Sequence, residues 1–365
     1  MNRVHFPSPA DQPSRKAGRS SVVCTSDLWS NGKRSGTYYL RARDDESAYR
    51  RITAPIGIIA NGPGPRAILM GGVHGDEFHG QIAVRQLFAA LQPDQICGSI
   101  VFLPAANPPA AYAGKAMSPL DGKHIVRGFA EKPVTITDRF GDFYERDIFA
   151  GSDLIVDLHS GGKSLVYVPG SLIIRDPNAD RFEKQLLYSS AFGASARYII
   201  ESETASDSFW RAAERCGAVH LNAELGGSLY AAPEIVAAGL RGVLNVLSTA
   251  RIFKTAASDP VGINRIFHQL GQPAQSGTAN RSGLVEYLSP LGCPVARGKA
   301  MAVIHPDMAD MAQPRPLRTN SSGIVVSYRA NMRTQEGDCL WEVASPVHIK
   351  HGQLVPARGR CHGLL

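Results

Sequence analysis

The sequence predicts an α/β protein, an open sheet flanked by helices, followed by a small all-β module. Three observations carry this. Apolar runs of strand length recur within residues 67–70, 154–159 and 219–224, and each runs into a polar residue beside paired glycines. Such runs suit strands buried on both faces of a largely parallel sheet. Segments with helical patterning lie around them. After Gly271 the composition changes to short apolar stretches punctuated by glycine. A chain of 365 residues can bury one large core and a smaller one. The expected division is a leading segment 1–20, a catalytic unit 21–275 and a β module 276–365.

The elements follow in order. Residues 1–20 are rich in Pro, Ser, Arg and Lys and read as mobile. Residues 21–26 and 37–41 read as strands. Residues 52–60 alternate weakly around Pro55 and read as an edge strand, where a missing N–H is tolerated. Residues 61–65, Asn-Gly-Pro-Gly-Pro, form a turn into the run at 67–70. A helix is expected at 82–91 and a strand at 99–104. Residues 109–133 lack periodicity, and a loop of that length in a compact unit is usually functional. Helices are expected at 141–150, 179–192, 205–216 (capped by Ser206 or Asp207), 233–247 and 261–270, with a strand at 164–169. Residues 276–281 read as a polar linker. Strands of the β module are expected at 283–288, 300–304, 322–326 and 340–343.

Composition excludes several classes. The formal net charge is +7, but the basic residues are scattered, without a run or interleaved aromatics, so nucleic acid is not an expected partner. The charge suits anionic small molecules or solubility. No apolar run approaches the roughly 18 residues of a membrane span. The N-terminus lacks the apolar centre of a signal peptide, which makes a cytoplasmic location the expectation. The six cysteines, at 24, 97, 216, 293, 339 and 361, form no Cys-x-x-Cys pair. Cys97 and Cys216 read as reduced and structural. A homo-oligomer is compatible with the sequence, which fixes no oligomeric state.

The chemistry concentrates at the ends of the three buried runs. The first continues through Gly71 and Gly72 to His74 and Glu77, and the second ends in His159. In an open α/β sheet the carboxyl ends of parallel strands carry the active site. Two histidines and a glutamate make a three-ligand zinc site with a fourth position for water, the catalytic rather than the structural pattern. The third run ends in Glu224, a candidate base for that water. Asp157, two residues before His159, shares its side of the strand and is a candidate partner for its ring. Asp76 and His79 lie near the metal loop but are not assigned as ligands, and His79 reads as solvent-facing.

These motifs resemble the succinylglutamate desuccinylase/aspartoacylase family of the zinc carboxypeptidase clan. The matching segments are 71–77, 104–108 (Pro-Ala-Ala-Asn-Pro), 157–161 (Asp-Leu-His-Ser-Gly) and 224–227 (Glu-Leu-Gly-Gly). The likeness runs from about Gly36 to about Ala344. It is nearest the bacterial subgroup that includes N-α-acetyl-L-2,4-diaminobutyrate deacetylases. The resemblance implies a zinc-carboxypeptidase-like mixed sheet with a barrel-like C-terminal module. It implies one Zn²⁺ per chain, bound by His74, Glu77 and His159, and hydrolysis of the amide of a small N-acyl amino acid with Glu224 as general base. Arg127 is implied to bind the substrate's carboxylate or the developing oxyanion. Asn107, within a matching segment, and Lys115 are further candidate substrate contacts, and Lys163 is another group able to meet an acidic substrate.

The chain departs from the pattern in the substrate loop. Where the family carries an arginine before Ser-Pro this chain has Ala116, and the family's Asn before the last arginine is Val126. A carboxypeptidase-like peptidase, or a non-catalytic protein with a decayed loop, remains an alternative reading of the same residues.

Overall fold

The structure is a computed structural model that describes residues 20–42, 47–201, 205–255, 266–271, 275–306, 314–350 and 352–357. All of the leading segment expected to be mobile except Ser20, and Cys361, lie outside the described residues. In chain order the first strands are β1 (Val22–Cys24), β2 (Gly32–Arg41), β3 (Arg51–Asn61), β4 (Arg66–Gly71), β5 (Gly98–Leu103), β6 (Leu154–His159), β7 (Leu165–Tyr167), β8 (Gly170–Ile174), β9 (Ala196–Ile200) and β10 (Val219–Glu224). The α-helices are α1 (Phe78–Ala90), α2 (Pro108–Ala113), α3 (Ile136–Phe143), α4 (Ala179–Phe192), α5 (Phe209–Arg215) and α6 (Pro233–Thr249). The remaining strands are β11 (Ile266–Gln269), β12 (Ser276–Thr278), β13 (Gly283–Tyr287), β14 (Pro294–Val295), β15 (Ala300–His305), β16 (Leu317–Arg318), β17 (Gly323–Arg329), β18 (Arg333–Thr334), β19 (Cys339–Lys350) and β20 (Gln353–Pro356).

The main sheet is mixed and runs β1-β2-β3-β5-β4-β6-β10-β8-β9-β11-β19-β17-β14. Its centre is the parallel trio β4, β6 and β10, with Met70 opposite Asp157 and Glu224 opposite His159. Alternation along β6 divides the two cores. Leu154, Val156 and Leu158 pack in the core that also takes residues of α1, α4 and α6. Ile155 packs with Phe140, Phe143, Phe149 and Phe209 on the opposite face. Asp157 and His159 share the side of Ile155 because side chains repeat every two residues along a strand. Among the described residues, no helix is long and apolar enough to cross a membrane.

Helix α1 sits very close to this trio through two glycines. A Cβ on Gly80 would lie 2.1 Å from the Leu158 carbonyl oxygen, and one on Gly71 would lie 2.5 Å from the Gly80 carbonyl carbon. Only glycine at both places lets the helix that begins beside Glu77 rest on the end of β6.

The C-terminal strands form antiparallel structure in two pieces. One four-stranded sheet runs β16-β15-β13-β18, while β12, β14, β17, β19 and β20 extend the main sheet. Val285, Met301, Ile304, Val325, Leu340 and Trp341 share one core between them. Strand β7, just after the His159 loop, pairs with β17, so the C-terminal strands are hydrogen-bonded to the edge of the metal-type residues.

Several expectations are corrected. Strand β3 is not an edge: residues 57–60 pair with β5 on one side and β2 on the other. Pro55 is accommodated because it lies in the half that pairs only with β2. The helix expected at 141–150 starts at Ile136, capped by Thr135, and continues as a π-helical turn over Tyr144–Phe149. The cap of α5 is Ser208, neither Ser206 nor Asp207. The long loop at 109–133 contains the end of α2 and a 3-10 turn at Ile125–Arg127. The helix expected at 261–270 is contradicted by β11, which pairs with both β9 and β19; residues 256–265 are outside the described residues. The linker at 276–281 begins as β12, paired with β19. Its buried position is Gly277, beneath the Trp341 indole, so no apolar residue signals the strand.

The glycine contact gives a prediction. Gly80→Ala must push α1 off β6, and overpacking of this kind costs roughly 1–3 kcal/mol. The variant is expected to melt below the wild type and to bind zinc more weakly, both read from thermal unfolding with and without metal. Unchanged melting and unchanged metal affinity would show that α1 is free to shift.

Candidate metal centre

The glycine pair at Gly71–Gly72 breaks β4 and starts the loop that carries His74 and Glu77. Gly72 holds φ at +72°, a left-handed conformation that suits glycine. Asn107 donates its backbone N–H to the Gly72 carbonyl at 2.9 Å, and Gly75 donates to the Lys115 carbonyl at 2.9 Å. The loop therefore leans on the 105–116 segment. Glu77 stands at the N-cap of α1 in an extended conformation, and its carboxylate turns inward.

That carboxylate joins the two histidines. Glu77 Oε1 lies 2.8 Å from His74 Nδ1, and Oε2 lies 2.9 Å from His159 Nδ1. The Ser160 backbone N–H also donates to Oε2, at 3.3 Å. Behind His159, its Nε2 meets Asp157 Oδ2 at 2.7 Å. The ligand atoms of His74, Glu77 and His159 lie within 4.8 Å of one another, a group able to hold a metal ion. The donor set fits zinc: two imidazole nitrogens and a carboxylate face one point, and a carboxylate orients one ring from outside.

Electrostatics follow the same contacts. Burial alone would raise the Glu77 carboxyl, but the imidazoles of His74 and His159 hold it down to about 2. Burial opposes protonation of His159, while Asp157 and Glu77 outweigh burial and raise it well above the usual histidine range. Glu224 behaves in the opposite way. Its carboxyl is pushed up to about 8, chiefly by burial, with His159 opposing and the nearby carboxylates of Glu77, Asp157 and Glu342 adding to the rise. Its Oε2 is shielded from solvent and has no hydrogen-bond partner.

All four residues line one cavity of about 460 Å³, together with Asp76, Ala116, His124, Val126, Tyr167, Trp210, Asn222 and Glu342. Lysine and arginine are absent from its lining among the described residues. A larger cavity of about 580 Å³ is also lined by Trp210, together with residues such as Arg175, Asp176 and His220. It contains none of the metal-type residues, so the smaller cavity is the candidate site.

The structure thus brings His74, Glu77, His159 and Glu224 together, with Asp157 behind them. It places the other expected contacts outside the lining. Arg127 and Lys115 are exposed, although each adjoins a lining residue, Val126 and Ala116. Asn107 is buried, and its Nδ2 has no partner. The lysine at 163 is exposed, while its backbone N–H donates to Asp76 Oδ2 at 3.0 Å. His79 is buried within α1, not solvent-facing, because its side of the helix turns toward the core.

Sequence reasoning missed His124, whose ring meets His74 edge-on at 5.2 Å. It also missed Tyr167, Trp210, Asn222 and Glu342. Asn222 could have been found, since it precedes Glu224 by two residues on the same strand. The others come from elements distant in sequence.

Comparison with known proteins follows the same outline. A profile of the succinylglutamate desuccinylase/aspartoacylase catalytic domain matches residues 63–250. The chain is 29% identical over 329 residues to the N-alpha-acetyl-L-2,4-diaminobutyric acid deacetylase of Halomonas elongata, covering 90% of this chain and 96% of that protein. It superposes on the product-bound ectoine utilization protein EutE (DoeB) of Ruegeria pomeroyi with a TM-score of 0.83 and 29% identity, covering 90% and 99% of the two chains. A succinylglutamate desuccinylase from a Silicibacter species gives a TM-score of 0.83 at 27% identity, over 90% and 99%.

Two predictions arise from the centre. His159→Ala is expected to abolish retention of zinc, and Asp157→Asn to weaken it about 10–100-fold, the usual effect of losing an outer carboxylate. Metal analysis after dialysis checks both, and a His159→Ala protein that keeps its zinc would remove that residue from the ligand set. The second concerns metal-free protein. Glu224 has a folded pKa above its ordinary value, so its contribution to stability is intact below about pH 4 and falls as pH rises toward 8. Metal-free Glu224→Gln, which cannot ionise, should therefore melt above metal-free wild type by a margin that widens from pH 5 to 8. A constant margin would mean that Glu224 ionises normally.

Proposed function

The chain belongs to the succinylglutamate desuccinylase/aspartoacylase family and is a hydrolase of the deacylase type, and from that premise we propose that it uses zinc to hydrolyse the amide of a small N-acyl amino acid. The observation that carries this reading is the convergence of His74, Glu77 and His159 with an unpartnered Glu224 in one cavity. A volume of about 460 Å³ suits a small molecule.

His74, Glu77 and His159 would hold the zinc, and Asp157 fixes the His159 ring so that Nδ1 faces the metal position. When bound, zinc supplies Lewis acidity, activating water and polarising the amide carbonyl. Glu224 takes the proton from the attacking water and returns it to the departing amine nitrogen. An amine is a poor leaving group until protonated, so one carboxylate has to act first as base and then as acid. A buried carboxyl with a raised pKa is suited to both roles. The divalent cation beside it would favour the ionised form at the start.

Arg127 and Lys115 are outside the lining but adjoin Val126 and Ala116 in sequence, and they are the proposed partners of the substrate's carboxylate. Asn107, with its buried Nδ2 free of protein partners, is a further proposed contact. Ala116 and Val126 stand where the resemblance places an arginine and an asparagine, and both line the cavity. Their loss leaves an apolar wall in place of two polar contacts. We infer a substrate altered from that of the family's acidic-substrate members, and the named deacetylase relative makes N-acetyl-diaminobutyrate a first compound to try.

The test is release of free amine from a panel of N-acetyl and N-succinyl amino acids by the zinc-loaded protein. Hydrolysis should require zinc. Glu224→Gln should keep its zinc while kcat falls by at least about 100-fold, the worth of a positioned general base. Wild-type turnover in that variant would move the base to another carboxylate, and peptide cleavage without deacylation would favour a peptidase.

A further inference from the structure

When water adds to an amide carbonyl, the C=O π pair moves onto oxygen and an anion develops there, which needs a fixed donor or positive group. The side chains of this cavity are poorly endowed for that. Its lining carries the carboxylates of Asp76, Glu77, Glu224 and Glu342, and no lysine or arginine among the described residues. His74, Glu77 and His159 are taken by the metal and Glu224 by the proton transfers, so none of them serves the new anion.

His124 has the position and the chemistry to serve it. Its ring lines the cavity and meets His74 edge-on, with centroids 5.2 Å apart and planes at 88°. Among the described residues, the ring contacts of His74 are with His124 and with its fellow ligand His159. An imidazole carries an N–H in either protonation state. Nδ1 of His124 is shielded from solvent and meets no acceptor, whereas Nε2 is not shielded in this way. The proton of the neutral ring therefore belongs on Nε2, where a substrate or water can accept it.

The backbone holds the ring in place from both sides. Ser118 donates its N–H to the Lys123 carbonyl at 3.0 Å, and Arg127 donates to the His124 carbonyl at 3.1 Å. The Lys123 ammonium reaches Asp138 Oδ1 at 2.8 Å. Ile125, the next residue, is buried in the core that holds Phe140 and Phe143. A donor fixed in advance costs no reorganisation when charge appears.

We propose that His124 is a further catalytic residue, the hydrogen-bond donor to the oxyanion that forms on the attacked amide. This rests on the deacylase reading and deepens it. The proton stays on His124 throughout. Its N–H bonds the oxygen as the C–O bond to water forms, and lets go when the C–N bond breaks and C=O re-forms. Glu224 delivers the proton to the departing nitrogen. Arg127, three residues on, is exposed and outside the lining, so holding the substrate's carboxylate and stabilising the oxyanion fall to different residues.

The experiment compares zinc-loaded wild type with His124→Phe and His124→Leu, which remove the donor with and without a ring, and with His124→Gln, which keeps an N–H. The substrate is whichever N-acetyl or N-succinyl amino acid the wild type cleaves fastest. Both donor-less variants should lose about 100-fold or more in kcat, the worth of one oxyanion donor. KM should stay within about 3-fold, because the bond is made only in the transition state. His124→Gln should recover about 10-fold or more of that loss. Zinc content and melting should match the wild type. Calorimetric titration with methylphosphonate, a tetrahedral anion, supplies a readout apart from turnover: the donor-less variants should bind it about 10-fold or more weakly, the scale of a charge-assisted hydrogen bond. Near-wild-type kcat, or methylphosphonate binding equal to wild type, overturns the donor role and leaves the deacylase reading standing. Loss of zinc from the donor-less variants assigns the ring to bracing His74 and also overturns it. If the wild type cleaves no N-acyl compound, the deacylase reading fails, and methylphosphonate judges His124 by itself. Tighter binding to wild type and His124→Gln than to His124→Leu supports the donor; equal binding or none overturns it.

Discussion

The structure depends on a buried carboxylate that uses both of its oxygens. Glu77 spans the imidazoles of His74 and His159 at 2.8 and 2.9 Å, and so ties the end of β4 to the end of β6. A carboxylate taken out of water is expensive unless its partners are well placed. The backbone around it is correspondingly constrained. Gly71 and Gly80 let α1 press against the trio of parallel strands, and the Lys115 carbonyl receives Gly75. A metal ion would use the same convergence, since the imidazoles and the carboxylate already face a common point.

Much of this was legible in the sequence. The metal group announced itself because its ligands follow or end two runs of strand length that break at glycines. Asp157 followed from a period of two along β6. Glu224, the proposed base, has the same signature at the end of β10. What failed was legible only in three dimensions. Strand β12 hides its buried face behind Gly277, which leaves room for Trp341 instead of adding apolar surface. Strand β11 gains its identity from pairing with β9 and β19, partners far away in the chain. Pro55 marked an edge correctly at its own position, but strand β3 is flanked on both sides a few residues later.

The substrate side was harder to read for a related reason. Arginine is a conspicuous letter, and Arg127 drew the carboxylate-binding role by resemblance. The lining instead contains Val126 and Ala116 on one wall. Two polar groups that line the cavity from elsewhere, Tyr167 and Glu342, carry no local motif. They are separated from the metal loop by tens to hundreds of residues, and only the sheet order brings them near it.

The C-terminal strands are tied to the chemistry through hydrogen bonds at the glycine junctions. Gly161 and Tyr167 both donate to the Gly226 carbonyl, and Leu225 donates to that of His159. The loops after His159 and Glu224 are thus one bonded block. Strand β7 leaves that block and pairs with β17, which pairs with β19. Glu342 is consequently held at a fixed place relative to Glu224, although 118 residues of chain do not determine that place by themselves. His159 and Glu224 end neighbouring parallel strands, and Glu342 lines the same cavity from β19, so strands from the middle and the end of the chain wall one cavity.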